Sequence, residues 1–431
     1  MFATSATGLQ KTTSYKVVLP FYIYGAMAFL LACVLLLLNT GVVHQHYFQP
    51  QTLAITHLMA LGWGTMLILG ASHQLLPVLI EGELDSDFLA YLSFIFSAIG
   101  IPFLVTGFYQ FNTGWLLQTG AVLINASVVC YFLNVITSII ESRKFDVHAW
   151  FIATASLWLF ATVFFGLLLV FNFSRSLLPD NSVEYLSLHA HMGLAGWFLL
   201  LVIGVASRLI PMFLISKYTS TATLWWIYAL INIALLGFVV LKTLKVYPQF
   251  YYTPFLLVLV ALLLFGRLCY KAYRLRIRKQ VDDQMKVSLL SVALLFLPLV
   301  ALLLVIYFIS FREQANMVLL YGFCIFFGWI TAIIFGMTFK TLPFIVWNKV
   351  YRSRAGGKTP APKELFSERL FQIMAILYLL GFVLFLAGII ILNDILLKSG
   401  AASLLGSAIF YVWNVAKTLF HQAQNNGNNY E

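Results

Sequence analysis

Apolar residues along this chain gather into long unbroken runs, without the short alternation of strands or the one-sided stripe of helices on a soluble core. Twelve runs stand out, at roughly 17–38, 53–80, 88–110, 115–140, 147–172, 185–215, 223–245, 252–272, 287–311, 317–347, 367–392 and 399–420. Each holds about 20 residues or more, the length needed to cross a hydrocarbon core of about 30 Å as a helix. In lipid, the backbone groups of such a run must be satisfied within the run itself, which selects helices. The pattern therefore predicts an all-α integral membrane protein with twelve transmembrane helices. Residues 1–15 are polar and the run from Val17 is long enough to span, so a cleavable signal is not expected.

One stretch recurs. His57 to Pro77 reads HLMALGWGTMLILGASHQLLP, with the pair Gly62 and Trp63, then Gly70, Gln74 and Pro77 at fixed offsets from the histidine. His191 is followed at the same offsets by Gly196, Trp197, Gly204, Arg208 and Pro211. A third copy holds Gly328, Trp329, Gly336, Lys340 and Pro343 in register, with Phe323 where the histidine stands in the others. Two glycines, a tryptophan and a proline at identical offsets predict a triplicated unit. The expected organisation is three pseudo-symmetric four-helix repeats, 1–146, 147–286 and 287–431, with the motif on the second helix of each. The glycines, eight residues apart, predict a smooth face where another helix or a flat ligand approaches closely.

Charge adds orientation. Lys and Arg number 26 against 15 acidic residues, but the surplus sits in connections rather than in a nucleic-acid-binding patch. Lys11, Lys16, Arg143, Lys144, Lys217, the run from Lys271 to Lys286 and the loop from Lys349 to Lys363 fall on one side; Arg175, Lys242, Lys245, Arg312 and Lys398 fall on the other. That bias predicts both termini in the cytoplasm. The loop EGELDSD, 81–87, is acidic, which matters little for orientation. The motif histidines then lie toward the outer face, and Gln74, Arg208 and Lys340 about 25 Å further along at 1.5 Å per residue, as an inner polar collar. The Asn-rich tail after Gln422 reads as disordered.

Histidine carries the candidate chemistry. His44, His46, His57, His189 and His191 all map to the outer third or the connection just outside it, and imidazole is a standard ligand for haem iron and copper. His57 and His191 occupy equivalent positions and are expected at one depth as ligands. His189, two residues from His191 and so on a different side of the helix, is expected as a third ligand or supporting partner, and His44 and His46 as further metal-ligand candidates. Met59 and Met192 are soft ligands available to copper, and Arg208 is a candidate for a haem propionate. The four cysteines are single and buried in apolar runs. No acidic residue lies mid-span, which disfavours ion-coupled transport through a carboxylate.

The segments HLMALGWGTMLILGASHQLLPV and HAHMGLAGWFLLLVIGVASRLIPMF resemble the small oxidase-like membrane proteins labelled as oxidase subunit I homologues, and their NnrS-type relatives. The architecture, twelve spans in three fours with a histidine at the outer end of the second, resembles subunit I of the haem-copper oxidases and nitric oxide reductases. The resemblance implies haem b and copper as cofactors, with His57 matching the low-spin haem ligand and His191 or His189 the copper-side position. It also implies a redox or nitric-oxide-related role, an electron donor or partner subunit, and a bacterial inner membrane as location. The departures are equally specific. The seventh span, TLWWIYALINIALLGFVVLKTL, has no histidine and the tenth offers Phe323, so a complete binuclear oxygen-reducing centre is not encoded. Alternatives are a copper or haem permease or assembly factor, or a cofactor-free partner subunit.

Overall fold

The computed structural model describes residues 13–277, 279–308, 315–352 and 359–423. Lys11, Arg312 and the Asn-rich tail from Asn425 lie outside them. Among the described residues are twelve helices long and apolar enough to cross a membrane: α1 (Tyr15–Leu38), α2 (Pro50–Ile80), α3 (Asp87–Tyr109), α4 (Trp115–Ser142), α5 (Val147–Arg175), α6 (Leu186–Leu214), α7 (Thr221–Thr243), α8 (Gln249–Arg274), α9 (Asp283–Tyr307), α10 (Asn316–Tyr351), α11 (Glu368–Ile391) and α12 (Asp394–Leu419). An even number of alternating helices brings residues 13 and 423 out on one face, here called the basic face because Lys144, Lys217 and Lys349 share it. The opposite end is the histidine face.

The three motif helices α2, α6 and α10 are the most enclosed of the twelve. Each leaves α-helical winding just after the first motif position, over Leu58–Thr65, Met192–Leu199 and Cys324–Ile330, where the backbone widens to a π-helix. A π segment is rare and concentrates at functional positions; here it recurs at one motif offset on three helices. Its extra residue per turn also changes which side chains share a face.

The motif tryptophans use this segment to reach a neighbour. Trp197 Nε1 of α6 donates to Thr65 Oγ1 of α2 at 3.1 Å, and Trp63 Nε1 of α2 donates to Thr331 Oγ1 of α10, also at 3.1 Å. Thr65 and Thr331 stand two residues after their own tryptophans; the matching residue of α6 is Leu199, which has no hydroxyl. The motif glycines serve helix packing: the Cβ that Gly70 lacks would meet Phe21 of α1, and those of Gly204 and Gly336 would meet Phe151 of α5 and Ser288 of α9. Of the two expected uses of that smooth face, the helix occupies it.

The hairpins α3–α4 and α11–α12 share a second, less visible pattern. Asn134 Oδ1 accepts from the Ser86 backbone N–H at 3.0 Å, and its Nδ2 donates to the Ser86 carbonyl at 2.8 Å. Asn414 makes the same two bonds with Ser367, at 2.8 and 3.0 Å. Each asparagine belongs to a buried quartet, Ser127, Tyr131, Asn134, Ser138 in α4 and Ser407, Tyr411, Asn414, Thr418 in α12. In α8 the same spacing holds Ala261, Phe265, Leu268 and Ala272, equally buried and wholly apolar.

Candidate metal or haem site at the histidine face

His57 sits at the junction of α-helical and π-helical winding in α2. Its Nδ1 is 2.8 Å from the Leu53 carbonyl oxygen, which only accepts, so Nδ1 carries the proton and Nε2 keeps its lone pair. His191 repeats this in α6, donating from Nδ1 to the Ser187 carbonyl at 2.7 Å. Both therefore have the arrangement typical of metal-bound imidazoles, one nitrogen fixed by a carbonyl and the other left to ligate.

Their neighbours differ. The His57 ring stacks on Phe108 of α3 with centroids 4.4 Å apart, and its other aromatic neighbour is His189, at 6.4 Å and 21°. His191 instead faces Tyr321 of α10: the rings lie 5.9 Å apart at 20°, and the phenolic oxygen is 3.4 Å from Nε2. The two-residue separation of His189 and His191 thus sends one toward α2 and the other toward α10. The first motif residue of α2 meets the residue two before it in α6, and that of α6 meets the residue two before it in α10. The ring contacts at this face are thus His57 with His189 and His191 with Tyr321.

His189 is enclosed, and its Nδ1 has no hydrogen-bond partner among the described residues. A Cβ on Gly166 of α5 would lie 2.9 Å from its Cε1, so a larger residue there would press on this ring. Phe323, the third copy's substitute for histidine, lies in an aromatic stack with Phe327, Phe382 and Phe385 at 5.2, 5.5 and 4.6 Å.

The remaining candidates have other partners. His44 Nε2 is 2.8 Å from Asp394 at the start of α12, on the exposed surface. The His46 ring lies 4.1 Å from Tyr47, and its Nδ1 accepts from the Phe48 backbone N–H at 3.1 Å. Arg208 is at the basic face, 3.5 Å from Glu81 and 4.0 Å from Asp146. Lys144 also pairs with Glu81 and, together with Arg208, holds its carboxyl below the usual carboxylate range. His73 is fully buried between Phe21 and Tyr131, while Met59 is buried beside His57 in sequence. All four cysteines are free.

A fit can be tested on this geometry. Two imidazoles binding one metal at about 2 Å each place their ring centres roughly 6 Å apart, which the 6.4 Å between His57 and His189 matches. The Nδ1 of His189, without a close hydrogen-bond partner among the described residues, adds a second candidate ligand atom. Among the described residues no three His, Cys, Asp or Glu side chains converge, so a closed structural metal cage is not formed. Deeper, below the tryptophans, α2, α6 and α10 enclose a cavity of about 110 Å³ bounded by Ala71, Ser72, Ala206, Ile334 and Thr338. Almost wholly apolar and well under the roughly 300 Å³ of an organic cofactor pocket, it offers a haem neither ligand nor room.

Sequence reasoning missed Tyr321, Gly166, Thr65 and Thr331. Tyr321 was recoverable, since it stands in the third copy where His189 stands in the second. Compared with known proteins, the chain matches no family model and no curated protein.

Proposed function

We propose that this membrane protein holds a redox centre, haem b or copper, at its histidine face between α2 and α6, and serves a redox or nitric-oxide-related role of the oxidase-subunit-I type. The observation that carries the reading is the pair of imidazoles His57 and His189, 6.4 Å apart in nearly parallel planes, one with its ligating nitrogen free and the other with a buried nitrogen unpartnered. His57 would be one ligand and His189 the second. Phe108 and Gly166 fix the two rings from outside, and the Leu53 carbonyl sets the tautomer of His57. His191 and Tyr321 form a second polar pair toward α10, able to hold or pass a proton between Nε2 and the phenol. A bound haem or copper ion would supply one-electron chemistry. With Phe323 at the third copy's first position, α10 contributes no histidine there toward a binuclear oxygen-reducing centre.

The architecture proposed with this function is three four-helix repeats with both termini in the cytoplasm of a bacterial inner membrane, receiving electrons from a donor or partner subunit. Three π segments at one motif offset, the Asn134 and Asn414 clamps, and the apolar quartet of α8 at the same spacing support the repeats. Lysine and arginine on the basic face support the orientation.

The deciding measurement is an optical spectrum of the purified protein with metal analysis. A reduced b-type spectrum, or stoichiometric copper, is expected for the native chain and for His191→Ala, and is expected to vanish in His57→Ala and in His189→Ala. Copper bound without haem and without redox turnover would shift the reading to a copper carrier. A gently purified chain holding neither would sink it.

A further inference from the structure

The cavity below the tryptophans is built from matching positions of the three motif helices. The residues directly after the second motif glycine are Ala71, Val205 and Met337, the next are Ser72, Ala206 and Thr338, and all six line it. The equivalent residues one turn to either side line it too. Residues four apart share a helix face, so α2, α6 and α10 turn the same motif face inward and the cavity lies at their common centre. Toward the histidine face the equivalent positions are Gly64, Phe198 and Ile330. A Cβ on Gly64 would meet the Phe198 ring at 2.8 Å, so an aromatic ring stands between the cavity and that face.

Four hydroxyls reach this wall, and each is bonded within the protein. Ser72 donates to the Leu69 carbonyl at 2.9 Å, and Thr338 is bonded to the Tyr411 phenol at 3.0 Å. Thr341 donates to the Met337 carbonyl at 3.0 Å, which leaves Tyr22 as the donor in its 2.8 Å bond to Thr341. The rest of the lining is aliphatic apart from the thioether of Met337. A buried water needs two to four polar partners, and this wall has its hydroxyls already engaged. Ala71 and Ala206 make the room, since a leucine at either place would reach into it.

We propose that this central cavity is a binding site for one small uncharged apolar molecule, of the size of a diatomic gas. Its volume of about 110 Å³ approaches the roughly 150 Å³ at which an aliphatic cavity stays dry and binds xenon or benzene. A molecule without hydrogen-bonding groups loses nothing on entering, whereas a polar or charged one would lose its hydration without compensation. The proposal uses no residue of the histidine face, so the two stand or fall separately.

The test pressurises crystals of the full chain, grown from detergent, with xenon and reads its anomalous scattering. One xenon atom is expected between Ala71, Ala206 and Ile334, with no ordered water there before the gas is applied. Ala206→Leu and, separately, Ala71→Leu fill the space and are each expected to remove the peak. Ile334→Ala enlarges the cavity and is expected to strengthen it, and Ile95→Ala, on the outer surface of α3, to leave it unchanged. If neither leucine variant folds, Ile334→Ala decides. The proposal is overturned if the centre takes up no xenon, if ordered water fills it in the absence of gas, if a folded leucine variant keeps the native peak, or if Ile334→Ala fails to strengthen it.

Discussion

Gly166 has its importance through a residue on another helix. A methyl group there would sit 2.9 Å from Cε1 of His189, inside contact distance, so the ring must shift to admit it. Gly166→Ala is expected to destabilise the protein by about 1–3 kcal/mol, the usual cost of overpacking, and to lower haem or copper content along with it. Thermal unfolding in detergent and metal analysis check the two effects; an unchanged melting temperature would show that the ring moves freely. The tryptophans make a second comparison. Trp63 and Trp197 each donate to a threonine hydroxyl across a helix interface, so replacement by phenylalanine should cost about 1 kcal/mol in each case. Trp329 has Leu199 at the corresponding place, and Trp329→Phe should cost measurably less than either. Equal losses at all three would show that ring volume alone matters.

At the scale of elements, the asparagine clamps tie each hairpin at its start. Asn134 and Asn414 each make two bonds to the backbone of a single serine, the N-cap of the preceding helix. Asn134→Leu and Asn414→Leu are each expected to destabilise by about 1–2 kcal/mol, since the serine N–H loses its partner while the serine carbonyl keeps its helix bond from Ala90 or Phe371. Leu268 shows that the α7–α8 hairpin forms without a clamp, so the loss should appear as a lower unfolding temperature rather than a failure to insert. The junction after α2 is held differently, by Glu81 with Lys144 and Arg208. Its carboxyl is depressed, so the ionised form is favoured in the folded chain; the tie is fully present above the unfolded value of about 4.3 and is lost as pH falls through the lower folded value. Hydrogen exchange at Gly82 to Asp85 should therefore be unchanged between pH 7 and pH 5 and faster near pH 3, once intrinsic rates are removed. Exchange already faster at pH 5 would rule out the pairing.

For the whole molecule, hydropathy made the twelve spans legible: every run read from the sequence overlaps its helix, with ends displaced by no more than about five residues. The glycine and tryptophan spacing also read through, since close packing needs small residues at fixed places. The side-chain partnerships did not. Pairing His57 with His189 joins two helices far apart in the chain, which leaves no composition signal. The quartet of α4 and α12 was hidden because its α8 counterpart, Ala261, Phe265, Leu268 and Ala272, reads as ordinary apolar helix. The collar residues looked like one set of interfacial cations, yet Arg208 and Lys340 are neutralised by acids distant in sequence while Gln74 borders an open cavity. Each depended on a contact at long range in the chain, which local pattern does not encode.

The two tryptophan–threonine bonds have a mechanical consequence. At their depth α6 is bonded to α2 and α2 to α10, while Leu199 leaves α10 without a hydroxyl to reach on α6. The arrangement is a chain of three links rather than a closed ring, and α2 is its middle member. A displacement of α2, such as one set off by a change at His57 two turns away, is transmitted to both partners at once. Between α6 and α10 the contact at that level is the edge-on packing of Phe198 against Phe326, without a hydrogen bond. The helix that carries His57 is thus the middle member of the hydrogen-bonded chain, and at that depth α6 and α10 are joined by the Phe198–Phe326 ring contact instead.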